Sequence, residues 1–229
     1  MDPPEQLSAG AGPLGASPRL TALLRRLGAT ADTSALGAAL TRAWGEPHRA
    51  YHGPGHLADC LRELDGAPID AEQRDLAEAA LWFHDAVYDP HAADNELRSA
   101  DWARQALIGA GVPEDTAAQV GRLVLLTRHV DPPAESDRTG ALVCDVDLCV
   151  LGRPPEEYDR FERLIRAEYA WVPEPVYRVE RRRILLRFRL REPLYLTEHF
   201  RRRYQAPARA NLERALRQLG GERPGEAPR

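Results

Sequence analysis

An all-helical fold is what this sequence predicts, on three observations. No alternation of apolar and polar residues persists long enough for a sheet, apolar residues recur instead at spacings of three and four, and prolines stand at the openings of several such stretches, where a helix tolerates them. In chain order, helices are expected from Ser17 to Leu27, Ser34 to Trp44, Pro54 to Leu64, Ala71 to Tyr88, Asn95 to Ala110, Pro113 to Thr127, Pro155 to Ala170, Pro175 to Arg189 and Thr197 to Leu219. Residues 1–16, rich in Gly, Pro and Ala, read as a disordered arm and residues 220–229 as a matching tail. That leaves 17–219 as one domain, a helical bundle with its core over 44–152 and a helical C-terminal extension over 155–219.

The start of the third helix is fixed by RAYHGPGHLADC, residues 49–60. Proline suits a first helical turn and forces the residue before it to be extended, so Pro54 opens a helix that Gly53 cannot join. His52 then lies in the preceding loop and His56 in the first turn. Leu57, Cys60, Leu61 and Leu64 share one face, and His56 falls beside that stripe. In the fourth helix Leu76, Ala79, Ala80, Phe83 and Val87 share a face, and Leu81 with Trp82 makes the middle apolar nearly all round, the mark of a central helix.

With 229 residues, 43% hydrophobic and 29% charged, the chain has the composition of a soluble globular protein and can bury a large core. No run approaches the length of a membrane span and no charged-then-apolar leader is seen, so the cytoplasm is the expected location. Cys60, Cys144 and Cys149 are odd in number and form no CxxC, which argues against a disulfide framework and a thiolate zinc site. Residues 1–159 hold 13 Arg against 26 Asp and Glu, whereas residues 160–218 hold 16 Arg against 7 Glu. Such asymmetry fits helices whose charged faces complement each other, or an arginine-lined approach for phosphate. Overall acidity and the lack of a basic-aromatic motif argue against nucleic acid.

The central helix runs into FHD, His84 and Asp85 following apolar neighbours, and ALVCDVDLCVLG embeds Asp145 and Asp147 in an apolar run. A carboxylate beside a core needs an opposite charge or a metal to compensate it. Neighbours two apart on a helix point to nearly opposite sides, so only one of Asp145 and Asp147 can face a metal while the other orients ligands or caps. Together with His56, these residues offer two imidazoles and two carboxylates, a set suited to a divalent Mn, Fe, Co, Ni or Zn ion.

In this order of HxxxH, then HD, then a distal Asp, the chain resembles the HD superfamily of metal-dependent phosphohydrolases. The segments EPHRAYHGPGHLADCL, LWFHDAVYDPHAADNELRSA, LLTRHV, CDVDLCVLG, YDRFERLIRAEY, VYRVERRRILLRF, LYLT and ARANL look like its branch of predicted metal-dependent HD phosphohydrolases, between Trp44 and Leu212. The resemblance implies an HD-domain helical bundle that hydrolyses a phosphate ester of a nucleotide or another small phosphorylated metabolite. It implies His56, His84, Asp85 and Asp147 as metal ligands, with Asp145 orienting them. In the related cyclic nucleotide phosphodiesterases, a similar YHNxxH puts its second histidine on the metal and its first beside the leaving group. Carried over, His52 is the general acid, protonating the leaving oxygen as imidazolium. Gly53 stands where Asn is usual, which removes a side-chain hydrogen bond.

By the same resemblance Glu96, in NELRSA, orients the attacking water, Arg49 grips phosphate and His129 reaches the substrate. Arg166, Glu168, Tyr169 and Arg181 match the branch pattern, Arg166 and Tyr169 as substrate contacts, with a core salt-bridge network as the alternative role. Two rival functions stay open. The HD fold also hosts mixed-valent di-iron oxygenases, for which His129 or His91 would supply further nitrogen ligands, and a non-catalytic nucleotide-sensing module would need no turnover.

Overall fold

The computed structural model describes residues 18–220; the arm at 1–16 and the tail beyond Gly220 lie outside the described residues. It contains α1 (Pro18–Arg26), α2 (Ser34–Trp44), α3 (Pro54–Asp65), α4 (Ala71–Phe83), α5 (Asn95–Gly109), α6 (Glu114–Leu126), α7 (Arg138–Asp147), a 3-10 helix (Leu148–Gly152), α8 (Pro155–Glu168), α9 (Glu174–Leu190) and α10 (Glu198–Gly220). No strand occurs among the described residues, so the all-α class holds. Gly220, read as the first residue of the tail, ends α10 instead.

Most boundaries fall within two residues of the pattern-based ones, as fraying helix ends allow. Two do not. Helix α7 has no counterpart in the expected set, because its CDVDL segment alternates with a period of two and masks the helical repeat. Helix α4, expected to reach Tyr88, ends at Phe83.

The early stop of α4 has a tertiary cause. Trp44 Nε1 donates to the Trp82 carbonyl at 3.0 Å, and His84 Nδ1 takes the Leu81 carbonyl at 2.8 Å. Arg49 then donates to the carbonyls of Asp85 at 2.6 Å and Ala86 at 3.2 Å, and Val87 N donates to Ser99 Oγ at 3.0 Å. Backbone groups that would continue the helix are satisfied from α2, α5 and the loop before α3. No glycine or proline marks the stop, so the local sequence carries no sign of it.

One continuous core runs through the described chain, from Leu20, Leu23 and Leu24 of α1 to Leu212 and Ala215 of α10. Helix α4 is its axis, packed against α1, α3, α5, α6 and α7, as its all-round apolar middle requires. The C-terminal helices are part of the same body. Helix α10 lies on the 3-10 helix and on α9, and the buried Glu63 of α3 is paired with Arg153 at 2.6 Å and Arg203 at 3.2 Å. Through Arg203 the arginine-rich last part complements the acidic first part here, while Arg153 pairs within the first part.

At the crossing of α10 over the 3-10 helix, a Cβ on Gly152 would stand 2.7 Å from Tyr204 Cβ and 2.8 Å from its carbonyl oxygen. Gly152→Ala is therefore expected to lower unfolding free energy by roughly 1–3 kcal/mol, read from urea denaturation, as overpacked sites do. An unchanged midpoint would mean that α10 is not seated there.

Candidate metal centre

Four side chains from three segments converge at the end of α4. As Pro54 requires, Gly53 is the extended N-cap of α3 and His56 sits in its first turn, while His52 stays in the loop before it. His84 caps α4 and Asp85 follows it, so both leave the helix. Asp147 is the last residue of α7. His56 Nε2 lies 3.1 Å from His84 Nε2, 3.2 Å from Asp147 Oδ1 and 3.6 Å from Asp85 Oδ2. His84 Nε2 lies 3.1 Å from Asp85 Oδ2 and 3.5 Å from Asp147 Oδ1. Atoms bound at about 2.1 Å to one ion stand roughly 3.0 Å apart at right angles and roughly 3.4 Å apart at the tetrahedral angle. His56, Cys60, His84 and Asp147 together form a group that could hold a metal ion, their ligand atoms within 4.8 Å of one another.

The electrostatics also ask for a cation. Burial works against the charge of Asp85 and Asp147, yet the adjacent imidazoles hold both carboxyls below the usual range. Burial likewise opposes a charged His84, and the two carboxylates override it, raising its pKa well above an ordinary histidine. Two buried negative charges thus draw either protons onto the rings or a metal between them. The Leu81 carbonyl can only accept, so Nδ1 of His84 carries a proton in either case, and Nε2 is the nitrogen left for a second proton or for a metal.

His52 is anchored beside this cluster by a residue from α8. Its Nδ1 lies 2.6 Å from Glu168 Oε2, while Glu168 Oε1 accepts from the backbone N–H groups of Tyr51 at 2.7 Å and His52 at 2.9 Å. Tyr88 donates its hydroxyl to Glu168 Oε2 at 2.8 Å and stacks on the His52 ring with centroids 4.3 Å apart. Burial opposes charge on both partners. Even so, Asp85 and Glu168 raise the pKa of His52, and His52 lowers that of Glu168 to about 2. The His52 and His56 ring centroids are 5.9 Å apart, so the Glu168-anchored imidazole adjoins the donor group.

Other expected site residues fall into distinct places. Glu96, in the first turn of α5, is half-buried; burial raises its pKa, and the negative charges of Asp85 and Asp147 add to the shift. His129 reaches the cluster, its Nε2 2.8 Å from the second oxygen of Asp147, on a backbone with φ of 51° that few residues other than glycine adopt. Tyr169, the C-cap of α8, is hydrogen-bonded to Tyr88 and so borders the His52 side of the site.

Asp145, expected to orient ligands or to cap, takes the second role: it accepts from Leu196 N, Thr197 N and Thr197 Oγ1 at 2.7–2.8 Å, fixing the entry to α10. Two assignments are corrected by position. Arg166 donates to the carbonyls of Tyr169 and Val172 and to Glu174, closing the turn after α8. Arg49, expected to grip phosphate, is buried, its guanidinium held by Glu46 and by the carbonyls of His52, Asp85 and Ala86. It aligns the two loops that carry the general-acid candidate and Asp85. Arg49→Lys removes that fork, and metal affinity is expected to fall about 10- to 100-fold, as for other groups that orient ligands. Weakened phosphate binding with unchanged metal affinity would restore the phosphate role. Arg181, for its part, pairs with Glu162 at 2.8 Å, as the salt-bridge alternative has it.

Two contributors escaped the sequence reading, Tyr88 and the role of Glu168. A signal existed for Glu168: it ends α8, where the helix dipole disfavours a carboxylate, so an acidic residue there calls for a partner. Comparisons with protein-family models, curated proteins and solved structures find no match to this chain. Among the described residues, no helix is long and apolar enough to cross a membrane.

Proposed function

We propose that this protein is a metal-dependent phosphohydrolase of the HD type, acting on a phosphate ester of a nucleotide or another small phosphorylated metabolite. The observation that carries the reading is the charged His52–Glu168 pair standing beside a cluster of two imidazoles and two carboxylates. Its ligands are His56, His84, Asp85 and Asp147. Cys60 is set aside on geometry: its sulfur lies 3.7 and 3.8 Å from the two nitrogens of the His56 ring, nearly equidistant. A sulfur so placed stays about 3 Å or more from an ion on the Nε2 lone pair, beyond the ~2.3 Å of a zinc–sulfur bond.

Held by those four groups, a divalent ion of the Mn, Fe, Co, Ni or Zn kind supplies a Lewis acid for a phosphoryl oxygen and acidifies water. The chain does the rest. Glu168 fixes Nδ1 of His52 and keeps the ring charged, so Nε2 can hand its proton to the leaving oxygen. Glu96, whose pKa is raised by burial and by the charges of Asp85 and Asp147, is assigned to orient the attacking water. Arg49 keeps the His52 and Asp85 backbones in register. The buried free cysteines accord with a cytoplasmic setting.

The experiment is a phosphate-release screen over nucleotides and small phosphomonoesters, paired with elemental analysis of the purified protein. Turnover that depends on one bound divalent ion supports the reading; a metal-free protein without turnover returns the chain to a sensing module.

The oxygenase alternative lacks ligands. His91 is exposed, stacks on Trp171 with centroids 4.2 Å apart and lines a cavity that holds none of the cluster's residues, leaving His129 alone of the two histidines weighed as extra ligands.

A further inference from the structure

A cavity of about 720 Å³ opens between the end of α2, the segment 86–91 and the start of α5. None of His52, His56, His84, Asp85, Glu96 or Asp147 lines it; Tyr88, which stacks on His52, stands in its wall, so it adjoins the candidate metal centre without holding any of its ligand groups. Its polar wall carries Arg42, His48, His91 and Arg98, and Ala39, Ala43 and Trp102 make it apolar elsewhere.

The charges in this wall are not matched internally. The Arg42 guanidinium makes no hydrogen bond or ion pair with any described residue, while the Arg42 carbonyl accepts from Gly45 N. Arg98 has only an exposed contact of 3.9 Å to Asp94. Of the two lining carboxylates, Glu46 is committed to Arg49 at 2.9 Å and Asp89 accepts from the backbone N–H of His91 at 2.9 Å. Two arginines whose guanidinium groups have no firm partners therefore line one concave space large enough for a drug-sized molecule. Arginine forks match the oxygens of a phosphoryl group in pairs, and the apolar side suits a hydrocarbon or ring attached to it.

We infer that this cavity binds a small phosphate-bearing molecule with an apolar body, at a site distinct from the metal cluster. The inference does not depend on the hydrolase reading, because the cavity holds none of the proposed ligands.

Phenylphosphonate, which has no ester bond to cleave, is the probe. Calorimetric titration of the full chain, as purified and again with EDTA, is expected to show binding in both conditions and tighter than inorganic phosphate. Arg42→Gln/Arg98→Gln should weaken it at least 10-fold; both residues are exposed, and a thermal melt matching wild type verifies folding. In histidine-labelled protein, His48 and His91 ring signals should shift on addition of the probe while His84 does not. Absence of binding, equal affinity in the double variant, or loss of binding with EDTA would each overturn the assignment. A failed phosphatase screen would leave it intact.

Discussion

Replacing His84 by alanine is expected to release the metal and to abolish hydrolysis together, a loss of more than about 10³-fold in turnover. The ring is 1% exposed, and its Nε2 faces both carboxylates. Its removal leaves Asp85 and Asp147 close together with only His56 and His129 beside them and frees the Leu81 carbonyl, so stability also suffers. Asp85→Asn separates the two effects, since it keeps the shape and removes one charge. Metal content by elemental analysis and turnover should fall together in both variants, while the thermal melt of Asp85→Asn stays close to wild type. Turnover that survives loss of the metal would dismiss the cluster from the chemistry.

The second large effect belongs to Glu168. In Glu168→Gln the metal is retained, turnover falls by about 10²–10⁴-fold, and the pH profile changes shape. An acid must be protonated to act, so activity is present below the folded pKa of His52 and lost as pH rises through it. Asp85 and Glu168 raise that pKa, hence removing the Glu168 charge should move the alkaline limb to lower pH. Stability follows the same pair from both sides. The depressed carboxyl contributes above its ordinary 4.5 and is lost as pH falls through about 2, whereas the raised imidazole contributes below its ordinary 6.5 and is lost above its folded pKa. The stability gap between wild type and Glu168→Gln should therefore be widest between pH ~4.5 and ~6.5 and close on acidification. A merely structural Glu168 would lower activity without moving the limb. His52→Ala should also keep the metal while losing turnover.

How far the site is legible in the sequence depends on the range of the interaction that makes it. Pro54 is a local rule, and it places His52 and His56 correctly because a proline's preference for a first helical turn does not depend on the rest of the fold. The opposition of Asp145 and Asp147 is equally local. It follows from helical angles, though it does not tell which of the two turns towards the cluster, and the capping of Leu196 and Thr197 decides that. Where α4 stops was hidden, since Trp44, Arg49 and Ser99 end it through bonds spanning 12 to 38 residues. Arg49 was misjudged for a related reason: an arginine near histidines reads as a phosphate grip, whereas burial turns it into a splint for carbonyl groups. Glu168 lies 116 residues from His52, and no periodicity connects them.

Anomalous diffraction at the absorption edge of the bound metal tests the central claim most directly. The expected result is one strong peak per chain, about 2.1 Å from each of His56 Nε2, His84 Nε2, Asp85 Oδ2 and Asp147 Oδ1, with His129 on the far oxygen of Asp147 and Cys60 outside the coordination sphere. Two full peaks about 3.5–4 Å apart, with His129 bound to the second, would contradict the mononuclear hydrolase and favour the di-iron oxygenase.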